Sequence, residues 1–444
     1  MCSMVRFSVR LLLLTACFTV QPLMASDQIP GAPQTKPVAL INAVLHTVSG
    51  PVIEAGTLVF ENGRITELGP RLQPPANAVV IDLQGRHVFP SMIESHSQLG
   101  LTELSSTRAT IDTSETGRIN PNVTAATAVN PDSELIPVTR ANGVLVALSA
   151  PSGGLVSGKA SLLQLDGWTS VDMTLQREAG LVINWPSSGR SFFFGAPGAE
   201  APAGGESGGS AVRELRDLFS DARAWAKART ASPDSQRYDI RFASLQPVLA
   251  GKVPLIVAAD DAEEIQAAVA FGVEQKMQVI IFGGYDAESC AELLRRYQVP
   301  VIISAVHRDP RNDHDDYDAP YTLPERLRKA GIRFCISGSA RSETWNTRNL
   351  PYQAATAAAY GLPRDEALKS VTLYPAQILG IADRLGSLEP GRDATVFVST
   401  GDPLETDSQV THAWIQGRVV DLSSRHTELA GKYGEKFRRL KEGR

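Results

Sequence analysis

Between residues 143 and 336 the chain alternates short apolar runs with helical patterns, and this alternation narrows the choice of fold more than any other feature. The runs are Gly143–Leu148, Leu181–Trp185, Pro254–Ala258, Gln278–Phe282, Val299–Ile303 and Ile332–Ile336. Runs this continuous are buried on both faces, as in a parallel sheet covered by helices. Between them, Asp261 to Gly272 places Ile265, Ala268 and Val269 on one helical face, and a second helix passes through Ala291–Leu294. Gly195 to Ser210 is rich in Gly, Ala and Pro and reads as a flexible loop. It leads into an amphipathic helix carrying Leu215, Leu218, Phe219, Ala222 and Trp225. Strands alternating with helices over this length predict a barrel.

The two ends have a different texture. From Val38 short alternating runs (Ala39–Ile41, Thr57–Phe60, Ile65–Leu68, Val79–Ile81) are separated by turn signals at Glu61-Asn62-Gly63-Arg64 and Gln84-Gly85. The same pattern returns in Ala394–Val398 and His412–Val420. A small β domain is therefore expected. With 444 residues there is room for a large core and an accessory domain. A formal charge of -5 supplies no basic field for nucleic acid, so nucleic-acid binding is not expected. Residues 1–25 read as an export signal: Arg6 and Arg10, the apolar run Leu11–Val20, then Pro22-Leu23-Met24-Ala25. That run is too short to span a bilayer, so the mature chain is expected to be periplasmic without a transmembrane segment. Leu14-Thr15-Ala16-Cys17 offers an alternative, a lipoprotein cleavage box with Cys17 lipidated. Cys290 and Cys335 read as two core thiols, although export leaves a disulfide open.

The stretch Val88-Phe89-Pro90-Ser91-Met92-Ile93-Glu94-Ser95-His96-Ser97-Gln98-Leu99-Gly100 carries the chemistry. It is a buried strand ending in polar residues, and the period of two puts Glu94, His96 and Gln98 on one side. Two imidazoles at this spacing would form half of a metal site; here the second position is a glutamine, a poor zinc partner. The stretch resembles the first barrel strand of the amidohydrolase superfamily, in its imidazolonepropionase-like branch, which ends Pro-Gly-x-Ile-Asp-x-His-x-His-x-x-Gly. Pro90, Ile93, His96 and Gly100 match; Ser91, Glu94 and Gln98 depart. A longer resemblance runs from Arg348-Asn349-Leu350-Pro351 through Thr372-Leu373-Tyr374-Pro375-Ala376 to Leu385-Gly386-Ser387-Leu388-Glu389-Pro390-Gly391-Arg392-Asp393-Ala394.

The resemblance implies an α/β fold, a (β/α)8 TIM-like barrel inserted into a small β-sandwich built from both chain ends. Its parts would be residues 26–88 and 386–444 for the sandwich and 89–385 for the barrel. It also implies hydrolysis of non-peptide C–N bonds, as in cyclic amides, through a metal-activated water. The family holds its ion with the paired histidines of strand one, histidines from two middle strands and an aspartate from the last. Here only His96 stands at such a position. Gln98 replaces its pair, Ala258 and the Gly283-Gly284 turn occupy the middle positions, and Cys335-Ile336-Ser337-Gly338-Ser339-Ala340 lacks the aspartate. No cofactor is therefore expected, with zinc only if the site is rebuilt. Such rebuilding could use His307 and His314 in the acidic segment 307–318, which otherwise reads as a solvated loop.

His96 is read as a residual ligand or as a histidine hydrogen-bonded within the barrel. Candidates for a pocket are Glu94, Gln98, Asp260, His307, Ser339, Arg348 and Asn349, the last alternatively a helix cap. Lys159, in Gly153-Gly154-Leu155-Val156-Ser157-Gly158-Lys159, is a further candidate for an anion, or a solvated lysine on a turn. Two functions follow. One is an amidohydrolase; the other is a catalytically inactive relative that binds a small molecule, forms a homo-oligomer or pairs with a metal-competent homologue.

Overall fold

The computed structural model describes residues 28–186, 208–233, 237–338 and 344–443. The expected export signal with Cys17, most of the 195–210 loop and Ser339 lie outside the described residues. Two eight-stranded sheets organise the chain.

The first sheet is built from both ends. It contains β1 (Val38–Leu45), β2 (Ile53–Glu61), β3 (Arg64–Pro70), β4 (Val79–Asp82) and β5 (His87–Pro90). Strand β5 still belongs here, so the chain enters the second sheet only at Met92. Strand β1 has three partners because it breaks in the middle. Asn42 takes a left-handed φ of 54°, tolerable for asparagine, and its amide donates to Asp82. Residues before the break pair with β4 and those after it with β5. Leu40, Leu58, Phe60 and Val88 from these strands pack with residues of the returning C-terminal segment, Val396 and Trp414 among them.

The second sheet takes β6 (Met92–Ser97), β7 (Val144–Ser149), β8 (Val156–Gln164), β9 (Thr174–Asn184), β10 (Leu255–Ala259), β11 (Val279–Gly283), β12 (Val301–Ile303) and β13 (Phe334–Ile336) in sequence order. The last strands of the first sheet follow: β14 (Val396–Ser399), β15 (Val410–Ile415) and β16 (Arg418–Val419), with β14 lying antiparallel on β5. The second sheet is a nearly closed, TIM-like barrel with one departure. Strand β8 runs antiparallel to both β7 and β9, while the remaining ladders are parallel. The turn after β7 therefore makes a hairpin instead of a helical crossover.

Inward side chains fill the barrel: Ile93, Val146, Leu148, Ala160, Leu162, Val182, Ile256, Ala258, Ile280, Phe282, Ile302 and Cys335 form one buried cluster. Outward ones form another with the surrounding helices. The helix expected from Asp261 runs Ala262–Gln275, started by a capping box between Asp261 and Glu264.

Closure between β6 and β13 uses no ladder of their own. The carbonyls of Ser370 and Val371, between two short helices, accept from Ile336 N–H (3.0 Å) and Ile93 N–H (2.9 Å). Both strand edges thereby satisfy buried donors that would otherwise be orphaned. Further along, Ser337 Oγ donates to the His96 carbonyl at 2.9 Å.

Candidate functional site

The residues that follow the barrel strands at their C-terminal ends, where barrel enzymes keep their sites, divide into a buried seam and a charged rim. Glu94 is the centre of the seam. It is fully buried, and its two carboxylate oxygens accept from His96 N–H (3.1 Å) and from Gly338 N–H across the gap (2.8 Å). Burial pushes its carboxyl up to about 7, against backbone hydrogen bonds, those from His96 and Gly338 N–H among them, that hold it down. Gly338 is small for a reason: a Cβ there would stand 3.1 Å from Glu94 Oε2 and as close to Leu350. The adjacent Cys335 thiol is pushed up to about 12, first by burial, and is chemically inert as a thiol. Both expected core thiols are free and buried.

His96 projects into the barrel and lies flat on Phe282, with ring centroids 3.6 Å apart and planes within 13°. Gln98 is buried at the end of the same strand segment. Opposite them, Ala258 presents a methyl group into the interior cluster. The turn after β11 is closed to larger residues. Gly283 has φ +109°, and a Cβ on it would sit 2.6 Å from Asp260 Oδ1; one on Gly284 would meet Val301 at 2.4 Å.

Asp260 anchors the rim. Its carboxylate faces Arg308 (3.9 Å) and Arg311 (3.8 Å), and Arg311 also pairs with Asp261 at 2.9 Å. Arg308 stacks over Tyr285, 4.8 Å from the ring centre, and donates to Ser304. Tyr285 donates to Asp315 at 2.7 Å and accepts from Arg311 N–H. Burial raises the Tyr285 hydroxyl and keeps it a donor. Two guanidiniums thus stand among the carboxylates of Asp260, Asp261 and Asp315, a rim of paired charges in which the acids outnumber the bases.

Other expected site residues lie elsewhere. Lys159 is in the middle of β8, not on a turn. It alternates with Ala160, which faces the interior, and its ammonium pairs with Glu178 of β9 at 2.7 Å. It is a buried wall residue and corrects both the solvated-turn and the mouth readings. His307 turns away from the barrel: its ring meets Thr356 at 2.7 Å on the helix Leu350–Ala359, and burial lowers its basicity. His314 is almost fully exposed, its ring 3.8 Å from Asp315. Among the described residues, no three His, Cys, Asp or Glu side chains group as a metal site, so the relocated centre in segment 307–318 finds no support there.

Arg348 leaves the mouth as well, contacting His426 Nδ1 at 2.9 Å while its carbonyl accepts from Asn142. Asn349 starts a helix without a side-chain cap and instead donates to Asn346. Of the expected residues the structure keeps Glu94, His96 and Gln98 buried on one chain segment and sets Asp260 on the rim. Arg308, Arg311, Tyr285 and Phe282 went unread in these roles. The arginines three apart after a strand were the available signal for the rim; Phe282 looked like ordinary core.

Residues 325–420 match the model of the Amidohydrolase family. The amidohydrolase tasK of Hapsidospora irregularis is 23% identical over 389 residues, 82% of this chain but only 39% of that protein's length. Among solved structures, an amidohydrolase from Thermotoga maritima MSB8 superposes with a TM-score of 0.78 at 24% identity, covering 86% of this chain and 99% of its own. Molinate hydrolase gives 0.52 at 15% identity, over 89% and 96% of the two chains. At such identities these structures speak for the fold.

Proposed function

We propose that the chain, whose residues 325–420 match the Amidohydrolase family model, is a binding relative within the amidohydrolase superfamily that has given up metal-assisted hydrolysis. The observation that carries this reading is the turn after β11. A side chain at Gly283 would collide with the Asp260 carboxylate, and one at Gly284 with Val301. With φ of +109° and +68°, both residues hold a backbone that strains any side chain, so the position that the resemblance assigns to a ligating histidine favours glycine. The rest of the donor set agrees: Glu94 spends both oxygens on backbone N–H groups, Ala258 has no donor atom, and Gln98 offers only an amide. These residues do not fit a divalent ion.

In this reading the rim does the work. Arg308 and Arg311 would exchange their pairings with Asp260 and Asp261 for the carboxylate or phosphate of a small molecule, a group that planar guanidiniums suit, in the periplasm of the exporting cell. The rival reading, a hydrolase of cyclic amides, draws on the family match over residues 325–420 and the likeness to hydrolase folds.

One preparation tests both. Purified protein is assayed for bound metal and for turnover of lactams, hydantoins and dipeptides, then screened by thermal shift against small carboxylates and phosphates. The binder reading expects metal well below one equivalent, no turnover, and stabilisation by an acidic ligand that Arg308→Ala removes. Stoichiometric zinc with turnover abolished by a chelator would sink it.

A further inference from the structure

The C-terminal helix, Arg425–Lys441, is firmly started but buries nothing. A capping box of Ser424 and Thr427 fixes its first turn, and none of its 17 residues is buried. Its apolar residues are nonetheless arranged. At 100° per residue, Leu429, Tyr433, Phe437 and Leu440 fall within an arc of about 80°. All four are exposed, Phe437 and Leu440 by about 60%. At the foot of the helix the half-exposed Trp345 borders a cavity of about 320 Å³ with Leu135, Val138, Arg425 and His426. A stripe of this kind on a helix that buries none of its residues calls for an occupant.

The charges say which. The helix carries Arg425, Lys432, Lys436, Arg438, Arg439 and Lys441 against Glu428 and Glu435, a net +4 in a chain whose formal charge is -5. Both glutamates lie away from the stripe, and Glu435 is engaged by Arg438 and Arg439 at 2.7 Å. Lys432 and Lys436 border the stripe, their ammonium groups about 6 Å from the Tyr433 ring. Two such helices from two copies would set these lysine rows against each other. An anionic lipid surface instead takes both parts at once: the apolar stripe enters the acyl boundary while long basic side chains reach up to the headgroups.

We infer that the helix Arg425–Lys441 is a peripheral membrane anchor that lies in the plane of an anionic phospholipid surface. No helix among the described residues is long and apolar enough to cross a membrane, so this contact would be reversible attachment. It is independent of what the barrel rim binds.

The full chain is sedimented with vesicles of phosphatidylcholine alone and of phosphatidylcholine mixed with phosphatidylglycerol. A Phe437→Glu/Leu440→Glu double variant is run beside it; since neither residue is buried, its melting temperature is expected to be unchanged. The expected result is roughly tenfold or greater preference for the anionic vesicles, weakened by added salt, and lost in the double variant. Equal binding by both proteins would assign the attachment to another segment and overturn the inference. So would binding to neither vesicle, whether the wild type stays monomeric or forms a dimer that the double variant abolishes.

Discussion

Glu94 gives the sharpest test of how the barrel is closed. Its carboxyl ordinarily titrates at 4.5 and is pushed up to about 7 by complete burial. A raised folded value means that the folded protein prefers the protonated acid. The stabilisation is therefore fully present below pH 4.5 and is lost as pH rises through about 7. At ~1.4 kcal/mol per pH unit, that loss amounts to about 3 kcal/mol. Glu94→Gln removes the titration while keeping the shape. It also introduces an NH2 group facing one of the two backbone donors, His96 N–H or Gly338 N–H, at a cost of about 1–3 kcal/mol. The variant should thus be clearly less stable than wild type at pH 5, and the gap should shrink or invert by pH 8.5. Urea denaturation of both proteins across this range measures it. Taking the difference between them cancels every other titrating group. If the two stability curves run parallel from pH 5 to 8.5, Glu94 is not a buried group poised near neutrality, and the account of the seam is wrong.

The sandwich titrates in the opposite sense. His46, bonded to His87 at 2.8 Å and stacked on Phe89, is lowered to about 4, chiefly by burial. Its contribution is held above pH 6.5 and lost as pH falls towards 4; allowing for solvent around a half-buried ring it is about 2 kcal/mol, and His46→Gln should flatten the acid limb of the stability curve. Asp166 ties Arg140, Arg418 and the Gly31 N–H together where the N-terminal segment meets the C-terminal strands. Because Arg140 is almost wholly buried, Asp166→Ala should cost about 3–5 kcal/mol in chemical denaturation; a loss under about 1 kcal/mol would show the cluster to be ornamental.

Most of the architecture was legible in the order of the chain. The apolar runs from Val144 to Ile336 became β7 and β9–β13, and the alternating ends became one sheet. The strand that escaped notice, β8, shows why. Gly158, Ala160 and Ser161 blur its alternation, and no local signal says that its partners run antiparallel on both sides. Lys159 was misplaced with it, because a glycine-rich turn and a glycine-containing strand look alike until the pairing is known.

Composition and pattern determined by themselves that the apolar strand runs are buried, since the period of two and the apolar runs follow from chain geometry alone. They also put Gln98, Ala258 and Gly283 where the resemblance implies histidines, since a residue type is a fact of the sequence. What a side chain does after strand ends converge depends on neighbours tens to hundreds of residues away. Only the tertiary structure put Gly338 against Glu94, Asp260 into the space over Gly283, and His307 onto Thr356. Those contacts are set by barrel closure and loop packing, which no local pattern encodes.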